Sequence, residues 1–167
     1  MVLKHSNREF KSKNIRVKGY YTIIIFLILI FLDRLTKLWA SNLEVNKDYG
    51  WLAFTYITNN GAGFSILQNM NLVLIIISIV VLIVMIYFYE YIPKFSFMLI
   101  LSGISGNLID RIFYGSVIDF INFKFWPVFN IADSLICIGV IYWIIRILKD
   151  DKTDKNGKNR LKRRVKK

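Results

Sequence analysis

Residues 72–89 read LVLIIISIVVLIVMIYFY, an apolar run without a single charge that stops at Glu90, Pro93 and Lys94. At about 1.5 Å of rise per residue, a helix over this stretch covers most of a hydrocarbon core of about 30 Å. Lipid, not water, is the solvent such a run calls for. Working outward, Phe95–Ile112 is a second run, interrupted by Ser102, Gly103, Ser105, Gly106 and Asn107. Small residues of that kind suit a helix packed closely on its neighbours. Ile131–Leu148 is a third. On the amino side, Tyr20–Leu32 continues into DRLTKLWA, which predicts a helix from about Val17 to about Lys37. A basic tail before an apolar run also resembles a secretory signal peptide, but no small-x-small cleavage pattern follows and two charges do. The expectation is therefore a retained helix, and an all-α membrane protein of four transmembrane helices.

Composition agrees. The chain has 167 residues, 55% of them hydrophobic, yet carries 23 Lys and Arg against 11 Asp and Glu. A soluble domain of this size could not hide so much apolar surface. The single cysteine, Cys137, lies inside an apolar run, and the single histidine, His5, lies in the charged amino-terminal tail. That removes a disulfide framework, Ser-His and Cys-His nucleophilic chemistry, and a His-ligated zinc site. Carboxylates remain for acid-base work, and no metal or other cofactor is expected.

Basic residues crowd both tails, 1–16 and 149–167, which places both termini in the cytoplasm by the positive-inside rule. Beside transmembrane helices, such tails read as topology determinants that touch anionic lipid rather than as a nucleic-acid site. The helical region, 17–148, forms one domain. Its longer loops, about 38–70 and 113–128, then lie outside, and the short turn at Tyr91–Lys94 lies inside.

This orientation gathers four acids at the outer face. Asp33 and Asp110 fall at outer helix ends, Asp133 at an outer helix start and Asp119 in the loop between the last two helices. A carboxylate in a span is costly and is a functional candidate by default. Two have an ordinary explanation at hand: Asp33 precedes Lys37 by four residues, the favourable order for a helical ion pair, and Asp110 adjoins Arg111. Asp119 and Asp133 have no basic residue within four positions, which makes them the better catalytic candidates. Asn130, three residues before Asp133, reads as the N-cap of the last helix, so Asp133 faces the positive end of a helix dipole. Two such carboxylates brought together cannot both ionise easily, and a shared-proton pair able to activate water results.

The first outer loop alternates aromatic and β-branched residues over Trp51–Thr58 and then turns at NNGAGFS, 59–65, predicting one or two short strands in a small extracytoplasmic β-containing region. Together DRLTK (33–37), NNGAGFS (59–65), GNLIDR (106–111), VIDF (117–120) and FNIADS (129–134) resemble, in order and spacing, the lipoprotein signal peptidases, or signal peptidase II, over roughly residues 17–148. The resemblance implies a bacterial inner-membrane aspartyl endopeptidase, multi-pass and working at the extracytoplasmic face. Its substrates would be diacylglyceryl-modified prolipoproteins, cut by aspartate-activated water. It further implies catalytic roles for Asp119 and Asp133 and substrate-binding or site-supporting roles for Asp33, Lys37, Asn59, Gly61, Asn107, Arg111 and Asn130. A monomer in contact with membrane lipid is expected, with no nucleic-acid partner. Two positions depart from the family pattern: Gly63 stands where a second alanine is usual, and Ser102 where glycine is common. Read from residues alone, two alternatives stay open: a metal-dependent lipid phosphotransferase and a small ion transporter.

Overall fold

The computed structural model describes residues 19–42, 47–62 and 67–165. Its helices are α1 (Gly19–Ser41), α2 (Asn71–Tyr87), α3 (Lys94–Tyr114) and α4 (Ile131–Val165), and its strands are β1 (Lys47–Asp48), β2 (Ala53–Asn59) and β3 (Val117–Asn122). Much of α2 is Ile and Val, whose branched side chains fit strands better than helices. An apolar environment reverses that preference, because a helix satisfies all of its backbone groups within itself. The helix ends where a 3-10 turn over Tyr89–Tyr91 begins, and Pro93 then opens α3, its carbonyl accepting the Phe97 amide at 2.9 Å. Met85, Ile92, Phe97 and Ile100 form a buried cluster that closes this end of the bundle.

α3 is the hub and packs on α4, α1 and α2. Its small residues allow the approach: a Cβ on Gly103 would lie 2.3 Å from the Ala132 carbonyl oxygen of α4. Ser102, a departure from the family pattern, is buried and donates its hydroxyl to the Met98 carbonyl at 2.7 Å, so it needs no partner on another helix. Gly63, the other departure, lies outside the described residues.

The outer faces of the helices are apolar. Phe31 is 64% exposed on α1 and Ile83 61% on α2, among many large aliphatic side chains with no protein cover. Surfaces of this extent need a non-aqueous neighbour. α3 and the Ile131–Asp150 part of α4 are long and apolar enough to cross a membrane; α2 is apolar but shorter, at 17 residues. α1 carries Asp33, Arg34 and Lys37 toward its carboxyl end. The last helix does not stop at Leu148, as the apolar pattern alone suggests, but continues to Val165.

The strands form one antiparallel sheet in the order β1-β2-β3, resting on the end of α1, where Trp39 meets Phe54 and Phe120 edge-to-face at 5.4 and 6.1 Å. β2 answers the alternation over Trp51–Thr58, and β1 is a two-residue strand before it. β3 corrects the sequence reading: Asp119 lies in a strand and not in a loop. VIDFIN is short and its burial does not alternate cleanly, because Phe120 as well as Val117 and Asp119 is buried. It becomes a strand by pairing with β2, which sets Ile57 opposite Asp119 and Asn59 opposite Val117.

Candidate active site

The start of α4 organises the site. Asn130 accepts the Asp133 amide on Oδ1 at 2.9 Å, and the Asp133 carboxylate accepts the Asn130 amide at 3.1 Å. This reciprocal cap satisfies two of the free N–H groups of the helix start and bears out Asn130 as N-cap. A third, that of Ala132, donates to Asp33 Oδ1 of α1 at 3.1 Å. Asp33 reaches it because Gly106 leaves the space: a Cβ there would stand 2.7 Å from Asp33 Oδ2.

Below the helix start lies a buried ionic quartet. Lys37, 1% exposed, sets Nζ 3.0 Å from Asp33 Oδ2 and 2.7 Å from Asp110 Oδ2. Arg34 donates from one terminal nitrogen to Asp110 and from the other to Asp33 at 2.9 Å and to the Gly106 carbonyl at 3.2 Å. The pairing of Asp33 with Lys37 agrees with their spacing. The partner of Asp110 does not agree with sequence adjacency: it pairs with Arg34 and Lys37 of α1, not with Arg111. Consecutive residues on a helix point about 100° apart, so neighbours in sequence seldom face one another, whereas α1 packs directly on this side of α3. Two cations and two anions so arranged neutralise each other where unpaired charge would be very costly.

Asp119 and Asp133 stand above the quartet, held by three asparagines from three elements. Asn59 of β2 donates to Asp119 Oδ2 at 2.9 Å, and Asn130 donates to Asp119 Oδ1 at 2.7 Å. Asn107 of α3 donates to Asp133 Oδ1 at 2.7 Å. The orientation of the Asn107 amide is fixed from behind, because its oxygen accepts from Lys37 at 3.0 Å and from Asn130 at 3.1 Å. Asp119 is 3% exposed. Burial, and after it the Asp133 charge, push its carboxyl up to about 6, against the pull of the Asn59 and Asn130 hydrogen bonds and of Lys37.

Arg111 lies within electrostatic reach of Asp133 and Asp119 and donates to the Gly61 carbonyl at 3.3 Å. The Gly61 amide donates to Asn59 Oδ1 at 2.9 Å, which ties the turn after β2 to the amide that holds Asp119. All nine residues singled out in the sequence therefore meet in one place. Three contributors were not singled out. Arg34 sits inside the DRLTK motif but has its main partner on another helix. Gly106 matters for what it leaves out. Asn71, at the start of α2, donates to the Arg111 carbonyl at 3.0 Å, and its one sequence signal is a polar residue opening an apolar run. Chemically, the arrangement offers two carboxylates that share a buried locus, each hydrogen-bonded on both oxygens, with a guanidinium at its edge.

Comparison with known proteins points one way. The family model described as signal peptidase (SPase) II matches residues 25–149. The lipoprotein signal peptidase of Clostridium tetani is 42% identical over 145 residues, covering 77% of this chain and 93% of that protein. That of Clostridium novyi is 39% identical over 146 residues, covering 78% and 99%. A bacterial membrane enzyme solved by the in meso method at 2.3 Å resolution superposes with a TM-score of 0.75 at 32% identity, covering 82% of this chain and 92% of that one.

Proposed function

The chain belongs to the signal peptidase II family, a membrane-embedded peptidase that removes signal peptides from prolipoproteins, and from that premise we propose that Asp119 and Asp133 carry the hydrolysis. One observation supports this above the others. Of the four acids gathered here, Asp33 and Asp110 are in direct ion pairs, whereas Asp119 and Asp133 are held by neutral amides and keep their acid-base capacity.

The pair works with one proton. We assign the ionised role to Asp133, in the first turn of α4 and near Arg111, and the proton to Asp119 in β3. Asp133 takes a proton from water as the water oxygen bonds to the scissile carbonyl carbon, and Asp119 gives its proton to the carbonyl oxygen. The tetrahedral diol collapses when Asp133 passes its proton to the leaving amine, the C–N bond breaks, and Asp119 recovers a proton from the diol hydroxyl. Asn107 serves by orienting Asp133, since its oxygen is held by Lys37 and Asn130 while its nitrogen donates to the carboxylate. Arg111 has guanidinium hydrogens left for a substrate carbonyl.

We place all four helices across the bilayer, with both termini cytoplasmic and the site at the outer interface. A lipidated cysteine anchored in the outer leaflet would then bring the scissile bond to the depth of the two aspartates. The domain is 17–148, and the enzyme acts as a monomer in contact with lipid. The test is to incubate the purified protein with a diacylglyceryl-modified lipobox peptide and with the same peptide unmodified. Only the lipidated form should be cut. Asp119→Asn and Asp133→Asn should each lower turnover by about 10³-fold or more while still binding the lipidated peptide. An active Asp119→Asn enzyme would overturn the assignment.

A further inference from the structure

We infer that Arg34 is a positioning residue that sets the number of protons held by the Asp119–Asp133 pair, through the charge balance of the buried site. The inference rests on the catalytic reading above.

Among the described residues, the charged groups of the pair and of the ionic network joined to it can be named element by element. α1 brings Asp33, Arg34 and Lys37; α3 brings Asp110 and Arg111; β3 brings Asp119 and α4 brings Asp133. β2 contributes the uncharged Asn59 and α2 the uncharged Asn71. Among the described residues that makes four carboxylates against the three cations Arg34, Lys37 and Arg111. In a place where net charge is strongly disfavoured, the cluster is neutral when it holds one extra proton. Asp33 and Asp110 are locked in ion pairs, so the place for that proton is the pair above them. One proton on two carboxylates is what the hydrolysis requires.

Arg34 completes this count and does so indirectly. It touches neither Asp119 nor Asp133; it holds Asp110 and Asp33. With those two acids half neutralised by Arg34, Lys37 is free to donate to Asn107, which in turn donates to Asp133. Without Arg34, two carboxylates compete for Lys37 alone, and the surplus negative charge connects to Asp133 through Lys37 and Asn107.

The test is the pH profile of cleavage of the lipidated peptide, normalised to each variant's own maximum. A surplus negative charge favours bound protons, so both limbs of the Arg34→Gln profile should move up by about one pH unit. Asp110→Asn leaves a surplus positive charge and should move both limbs down by a similar amount. The double variant Arg34→Gln/Asp110→Asn removes one charge of each sign, and its limbs should return to the wild-type positions even if its turnover is lower. Arg34→Lys, which keeps the charge, should stay with wild type. A uniform loss of activity with unmoved limbs in the single variants, or a double variant that does not return, would show a packing role only and overturn the inference. Inactivity of the wild type, or full activity of Asp119→Asn, would instead sink the catalytic reading, so the two failures are distinguishable.

Discussion

At the scale of single residues, the buried carboxyl of Asp119 ties function to a cost in stability. Its value of about 6 in the folded protein stands above the ordinary 3.8 of an unfolded chain, so the folded state binds the proton more tightly. The stabilisation is fully present below about pH 4 and is lost as pH rises through about 6, an effect of about 3 kcal/mol across that window. Thermal unfolding in detergent should therefore show a fall in stability from pH 4 to pH 7 that Asp119→Asn largely lacks. An unchanged pH slope in that variant would place the shift elsewhere. The sequence shows why Asp119 and Asp133 are special, since neither has a cation nearby along the chain. It does not show what holds Asp110. Adjacent Arg111 is an inviting partner on paper, but the helical rotation between neighbours turns it toward the Gly61 carbonyl, while Arg34, seventy-six positions away, faces the acid. Partners of that kind depend on which helix packs on which, and no local pattern records it.

At the scale of elements, legibility follows how local the cause is. The start of α4 is encoded within four residues, Asn130 to Asp133, as a reciprocal cap, and it is readable. β3 is different: VIDFIN becomes a strand by pairing with β2 some sixty residues earlier, and so it reads as loop. Asn130 joins both elements, capping α4 with its oxygen and holding Asp119 of β3 with its nitrogen. Those two duties can be separated. Asn130→Ala loses both, with a loss of about 1 kcal/mol from the cap alone. Asn130→Ser restores a capping oxygen but offers no amide to Asp119. We expect the serine variant to melt close to wild type and the alanine variant lower, while both lose turnover by about 10²-fold because the pair is no longer aligned. Equal activity in wild type and serine variant would remove Asn130 from the site and leave it a cap.

At the scale of the whole molecule, the four-span proposal has to accommodate helices of unequal character in one bilayer. α3 and the first part of α4 are long and apolar enough to cross on their own. α2, with 17 residues, is about 26 Å long by helical rise, a few ångströms short of the core, and the four-span proposal makes up the difference with the aromatic turn at Phe88–Tyr91, whose side chains suit the interface. α1 carries three charges near its end, and all three are engaged in the quartet and withdrawn from lipid. With its charges paired inside the bundle, α1 meets the requirement that the four-span proposal sets for it. The apolar runs announced these helices; the neutralising quartet, built from two of them, was not legible in either alone. In the four-span arrangement proposed above both ends share one side, and the positive-inside rule applied to the basic residues at 4–18 and 146–167 assigns that side to the cytoplasm. Single cysteines placed at Ser6 and at Lys158, in a background with Cys137 changed to serine, should resist an impermeant thiol reagent in intact cells and react after permeabilisation. A cysteine at Tyr49, in the exposed connection between β1 and β2, should show the opposite behaviour and react in intact cells. Labelling of either terminus from outside would reverse or break the four-span arrangement, and with it the placement of Asp119 and Asp133 at the outer interface.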